Sequence, residues 1–305
     1  MSSSASSSAR SLSGVAFLTL LLIALMMGAN HVAARFAFND GVTVTTAVLF
    51  RSVVTALVVL AIIRAYGVSM RVDPGQRRAL VGIGLLVGAQ SICLYSAVAR
   101  LPVALALLAF NSYPLWVALW ARVCYGERPD RRALMAMPVM LVGLALALDV
   151  SGAASGMGAA EHWGRIGVGV LFALAAAAAF GMALVLTQHG TVGVDGRVRT
   201  AVTMGLVGVM ALVGVAAQGG PTLPATATGW WGLIGLTALY GTAITILFTV
   251  LPRLGVVGNS AIMNVEPIFA LVLAWLLLGQ VIAPIQVVGG LVVVGTVMWL
   301  GLRKR

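Results

Sequence analysis

Charge is scarce in this 305-residue chain, and acidic charge above all: eight Asp and Glu stand against nineteen Lys and Arg, and charged residues make up only 9%. Soluble domains carry about 25% charged residues, so one large water-facing core is excluded. Cysteine is nearly absent. Cys93 and Cys124 lie in apolar or membrane-edge contexts, which argues against a disulfide or metal site and leaves buried free thiols as the expectation. Three scattered histidines, His31, His162 and His189, have no metal-ligand spacing. His162 and His189 read as loop or boundary residues. No GxxxxGK(S/T) loop occurs, so ATP does not drive this chain by itself. HExxH and GxSxG are missing too, and no catalytic residue, metal or cofactor is expected.

What remains is apolar: 61% hydrophobic residues and a mean hydropathy of +1.06. Without water, only helices or closed barrels satisfy the backbone. The apolar runs last about 18–25 residues without strict alternation, which fits helices of ~20 residues and not barrel strands of ~10. Ten spans are predicted: 13–35, 43–65, 79–98, 102–124, 132–150, 165–188, 199–217, 230–250, 255–278 and 282–302. Residues 1–12 form a Ser-rich tail expected to be disordered in the cytoplasm, and 303–305 a short basic one. A signal peptide over 10–34 is the competing reading of the first span.

Orientation follows from the basic residues. Arg64, Arg71, Arg77, Arg78, Arg128, Arg131, Arg197, Arg199, Arg253 and the 303–305 tail share one side with the N-terminus. The opposite loops hold Arg100 and Arg165, with Arg35 and Arg51 near the ends of their helices. Basic loops stay inside, so both termini are expected in the cytoplasm and the net charge of +11 reflects topology, with no nucleic-acid partner.

Sliding the chain by 153 positions lays residues 84–127 on 237–280. Tyr95 meets Phe248, Arg100 meets Arg253, Asn111 meets Asn264, Pro114 meets Pro267, Trp116 meets Phe269 and Gly126 meets Gly279. Gly28 and Gly181, and Gly82 and Gly235, keep the same register. Two five-helix repeats, 13–150 and 165–302, are therefore joined by an external loop, 151–164. Five is odd, so the second copy enters the membrane inverted. Inverted repeats are common in secondary transporters, where the substrate site lies near the midplane between them. The predicted fold class is an all-α membrane protein of ten transmembrane helices around a central midplane cavity.

The stretches "NSYPLWVALWARVCYGE" (111–127) and "NVEPIFALVLAWLLLGQ" (264–280), each after an "RLP" or "RLG" turn, together with "GANHVAARFA" (28–37), resemble the EamA type of the drug/metabolite transporter superfamily. The resemblance covers about residues 13–302. It implies a ten-helix carrier in the cell inner membrane, usually an exporter of amino acids, drugs or other small polar compounds. One departure is Gln280, where the first half has Glu127.

Glu266 is the sharpest residue. A carboxylate inside an apolar run costs about 2.5–3.5 kcal/mol on insertion scales, and intramembrane acids are functional by default. Proton coupling, or pairing with a cationic substrate group, is expected of it; a structural partnership with an internal Arg or Asn is the plainer reading. Arg51 and Arg35 are its candidate partners, each able instead to hold an anionic substrate group or to snorkel to the interface. Pro114 and Pro267 are read as mid-span kinks that free the carbonyls of Phe110 and Met263 beside Asn111 and Asn264. Asn30 and His31 read first as helix–helix hydrogen-bonding groups. Gln90, Tyr95, Tyr113, Trp116, Tyr240 and Thr245 complete the expected substrate-lining set. The expected function is a secondary carrier of a small molecule in the lipid bilayer, by alternating access; a membrane-embedded enzyme or sensor, or an uncoupled pore, are the alternatives. Homodimerisation is left open by the GxxxG-like faces.

Overall fold

The computed structural model describes residues 14–127, 131–149, 151–152, 156, 159–249 and 265–302. Among them every regular element is helical: α1 (Gly14–Asn39), α2 (Val44–Ala65), α3 (Pro74–Arg100), α4 (Val103–Phe110), α5 (Tyr113–Tyr125), α6 (Arg131–Ala147), α7 (Ala159–Gly190), α8 (Gly196–Ala217), α9 (Ala227–Thr249), α10 (Glu266–Leu278) and α11 (Pro284–Leu302). Seven segments are long and apolar enough to cross a membrane, counting α4 and α5 together as Val103–Tyr125. Three further apolar helices are shorter: Met135–Ala147, Glu266–Leu278 and Pro284–Trp299. Leu171, Val213 and Trp231 are among the large apolar side chains on the outer surface, as a lipid-facing sheath requires.

Local chemistry sets the ends. Thr43 caps α2 by accepting from the Thr46 amide, and Asp195 caps α8 by accepting from that of Arg197. Gly126 and Gly279 close α5 and α10 with φ of 68° and 63°, a left-handed conformation that glycine adopts without a Cβ clash. The two prolines differ from the sequence expectation. Pro114 and Pro267 stand in the first turns of α5 and α10, where a missing amide breaks no helical bond. The fourth span is interrupted at Asn111–Ser112 rather than kinked, and the interior-proline penalty does not arise. Met263, Asn264 and Arg253 lie outside the described residues.

The repeat is visible as paired contacts. A Cβ on Gly28 would meet the Ala270 amide and the Glu266 carbonyl at 3.0 Å; one on Gly181 would meet the Val117 amide at 3.0 Å. Position 117 is the repeat partner of 270. Likewise Gly82 faces Leu186 on α7 as Gly235 faces Ala33 on α1, and Gly190 faces Ala79 as Gly232 faces Ala37. Thus α3 packs on α7 as α9 packs on α1. The equivalent helices α2 and α8 pack on each other antiparallel, Thr45 beside Gly214 and Ser52 beside Gly208. Equivalent α6 and α11 do the same through Gly143 beside Val292 and Gly289 beside Ala147.

Hydroxyls tie the halves at the end bearing the α1–α2 turn. Thr222 Oγ1 accepts from the Thr43 amide at 2.7 Å, and Thr46 Oγ1 accepts from the Thr222 amide at 3.1 Å. Gln280, the departure from the repeat, accepts from the Val103 amide at the start of α4 at 3.0 Å. Its partner Glu127, at the other end, meets His189 Nε2 at 2.9 Å, with the Tyr125 ring stacked on the imidazole at 3.8 Å.

Candidate functional site

Polar side chains gather where α1, α2 and α3 of the first half meet α9 and α10 of the second. Arg51 enters from α2, seven residues past its first residue, or about 10 Å along the axis. It does not snorkel. The residue is 3% exposed, its Nη1 donates to Tyr95 Oη at 3.2 Å and its Nη2 donates to Ser91 Oγ at 2.8 Å. The guanidinium carbon lies 4.9 Å from the Tyr95 ring centre and 4.0 Å from that of Tyr240, the second ring coming from the other half. Tyr95, 1% exposed, passes the chain on: its hydroxyl donates to Asn30 Oδ1 at 2.6 Å, and Asn30 Nδ2 donates to the Met27 carbonyl at 3.1 Å. Ser91 Oγ donates to Gln90 Oε1 at 3.4 Å, and Tyr240 Oη reaches Met204 Sδ at 3.9 Å.

Glu266 takes a different partner from those expected. Its Oε1 lies 3.3 Å from His31 Nε2, and the buried His31 Nδ1 has no hydrogen-bond partner. Neither Arg51 nor Arg35 reaches it. Arg35 donates to the Val98 and Leu101 carbonyls at 2.6 and 3.3 Å, a cation placed on the negative end of α3. The backbone explains why Glu266 is tolerated: it is the first residue of α10, where the unpaired amides and the dipole favour negative charge. The His31 ring stands 5.4 Å from that of Tyr95, so the ion pair and the Arg51 chain adjoin.

The mirror position has another character. Tyr113, the repeat partner of Glu266, opens α5 among Phe110 and Phe180 at ring separations of 5.8 and 5.3 Å. Trp116 stacks on Trp120 at 6.3 Å, and Trp120 Nε1 donates to the Ala178 carbonyl at 3.0 Å. Asn111 turns back to donate to the Leu107 carbonyl at 2.8 Å, and Thr245 donates to the Gly241 carbonyl at 2.7 Å.

His162 and His189 stand at the two ends of α7, as boundary residues: His162 in its first turn, 6% exposed, with Nε2 3.0 Å from the Leu148 carbonyl, and His189 next to its last residue. The thiol expectation needs correction. Cys124 is exposed and Cys93 half-buried, so neither thiol is in a closed core.

Ser91 and Thr55 were not foreseen as parts of the cluster, although a signal existed. Ser91 precedes Tyr95 by four residues on α3, and Thr55 follows Arg51 by four on α2, so each pair shares a helix face. The ion pair had one too: His31 follows Gly28 by three, placing it on the face that approaches α10.

A duplicated unit whose described residues form only helices, several of them apolar and of spanning length, defines a multi-pass membrane protein of the transporter class. It belongs to the EamA-like transporter family, whose model matches residues 14–148 and again 167–302. A solved crystal structure shares the fold with a TM-score of 0.60 and 21% identity, over 95% of this chain and 98% of that one. No curated protein matches the sequence.

Proposed function

We propose a secondary active carrier in the cell inner membrane that exports small polar metabolites by alternating access. Its ten spans form two inverted five-helix repeats around a midplane cavity, with both termini in the cytoplasm. The carrying observation is the His31–Glu266 pair, an acid–base pair set where α1 of one repeat crosses α10 of the other. Any rocking of the halves alters that contact, so protonation of the pair and the conformation of the carrier are coupled. An intramembrane carboxylate facing a bundle interior is the usual mark of a proton or substrate pathway. Asn30, Arg51, Gln90 and Tyr95 of the first half contribute polar lining together with Tyr240 and Thr245 of the second; Asn111 contributes beside the aromatic Tyr113 and Trp116. Asn264 and the Met263 carbonyl belong to the same proposed lining.

Counterflow in proteoliposomes tests the carrier: labelled substrate exchanges against unlabelled without net chemistry. A pore would not show trans-stimulation, and an enzyme would alter the compound. Glu266→Gln tests the coupling. The expected variant still exchanges substrate, while net uphill transport no longer follows an imposed pH gradient. An unchanged pH profile would remove Glu266 from the coupling step.

A further inference from the structure

Arg51 is a buried cation without an anion. Ion pairs among the described residues include His31–Glu266, His189–Glu127 and Arg197–Asp195, and none of them involves Arg51. The sequence has only eight acids, and Asp130 alone of them lies outside the described residues. Among the described residues, the groups that touch the guanidinium are neutral: Tyr95 and Ser91 oxygens, and the Tyr95 and Tyr240 rings. Its Nε has no hydrogen-bond partner. One turn along the same face of α2, the Thr55 hydroxyl is fully buried and also lacks a partner. Thr55 Oγ1 lies 3.5 Å from the place a Gly241 Cβ would take, next to Tyr240. Two orphaned donors thus lie beneath residues 240–241 of α9. Buried polar groups are rarely left unsatisfied, and each exception calls for a reason.

We infer that Arg51 and Thr55 form the seat of a carboxylate-sized anion, covered by Tyr240 until the second half withdraws. Arg51 and Tyr240 come from different repeats, so parting of the halves lifts the ring from the cation. The guanidinium then exchanges the Tyr240 ring for a carboxylate, a hydrogen-bond partner of opposite charge, and the Thr55 hydroxyl gains an acceptor. The substrate class of the proposed carrier is accordingly a small anion or a dipolar molecule with an anionic group. This rests on the carrier reading, since it is the movement of the halves that opens the seat.

The test is thermal unfolding of the full chain in nanodiscs, titrated with benzoate, with its neutral isostere benzamide, and with chloride. Benzoate is expected to raise Tm saturably and benzamide not to. Arg51→Gln removes the response. Thr55→Val, a variant that deletes only an orphaned hydroxyl and so folds, weakens it. Tyr240→Leu removes the cover and lowers the half-saturating benzoate concentration roughly tenfold, the gain when a ten-per-cent competent state becomes dominant. Chloride that reproduces the shift and blocks benzoate assigns the seat to an inorganic anion; chloride without effect assigns it to organic carboxylates. Equal responses to benzoate and benzamide, or a benzoate response that survives both Arg51→Gln and Thr55→Val, would overturn the seat. Counterflow decides the carrier separately: exchange of substrate with no anion response discards the seat alone.

Discussion

The two halves share a backbone and differ in chemistry. At equivalent positions the first half sets Asn30, His31, Arg51, Ser91 and Tyr95 where the second sets Ala183, Leu184, Met204, Ile244 and Phe248. Across the interface, Glu266 faces His31 where Tyr113 takes the equivalent place on α5. The glycine contacts repeat almost atom for atom, Gly28 on Ala270 and Gly181 on Val117. Scaffold and site are therefore under separate control. Close helix approach needs the same small residues on both sides, whereas a buried charge is costly and is placed once.

Exchanging one residue for its own repeat partner breaks this comparison most directly. Arg51→Met gives the first half the residue of the second; counterflow should fall by roughly two orders of magnitude, at the upper end of the ~1.5–3 kcal/mol of a hydrogen bond to a charged group. Met204→Leu should leave it close to wild type, because volume-conserving apolar exchanges are tolerated. Equal losses would show that the asymmetry is incidental. The scaffold side is tested by Gly28→Val and Gly181→Val. Each forces a Cβ onto backbone or Cβ atoms at 3.0 Å or closer, at a cost of about 1–3 kcal/mol, so both should lower Tm and monodisperse yield together. A variant pair that behaves unequally would disprove the equivalence of the two crossings. Tyr95→Phe installs the partner-half residue and leaves Asn30 Oδ1 and Arg51 Nη1 short of a contact. The expected loss is about 1–3 kcal/mol, read as a drop in Tm that Met204→Leu does not match in the same assay. Asp195→Ala is the smallest step. It removes the cap of α8 at about 1 kcal/mol, and Thr43→Ala, the corresponding cap of α2, should cost more because Thr43 also bonds across to Thr222.

Much of the scaffold was legible in the sequence because a repeat leaves its register in glycines, and a helix that must approach another closely cannot hide that need. Gly126 and Gly279 announce helix ends through the same offset that aligns the prolines. The prolines themselves misled: an apolar run continuous in sequence across 102–124 is two helices in space, because Asn111 and Ser112 turn the chain. Hydropathy averages over such a turn and cannot register it. Partnerships were less legible than positions. Glu266, Arg51, Asn30 and Tyr95 stood out by their depth, yet depth alone does not say that α1 rather than α2 crosses α10. That fact is carried by Gly28, three residues before His31.

Residues 113 and 266 open equivalent helices, each is followed by a proline, and each helix packs against a glycine of the opposing repeat. Duplication has therefore supplied the cradle for a carboxylate twice, and only one copy is decorated. Installing an acid and a histidine at positions 113 and 184 would require two codon changes and no rearrangement of the main chain. A descendant of the same duplicated gene could in this way carry its working pair on the opposite face, and answer to the other compartment.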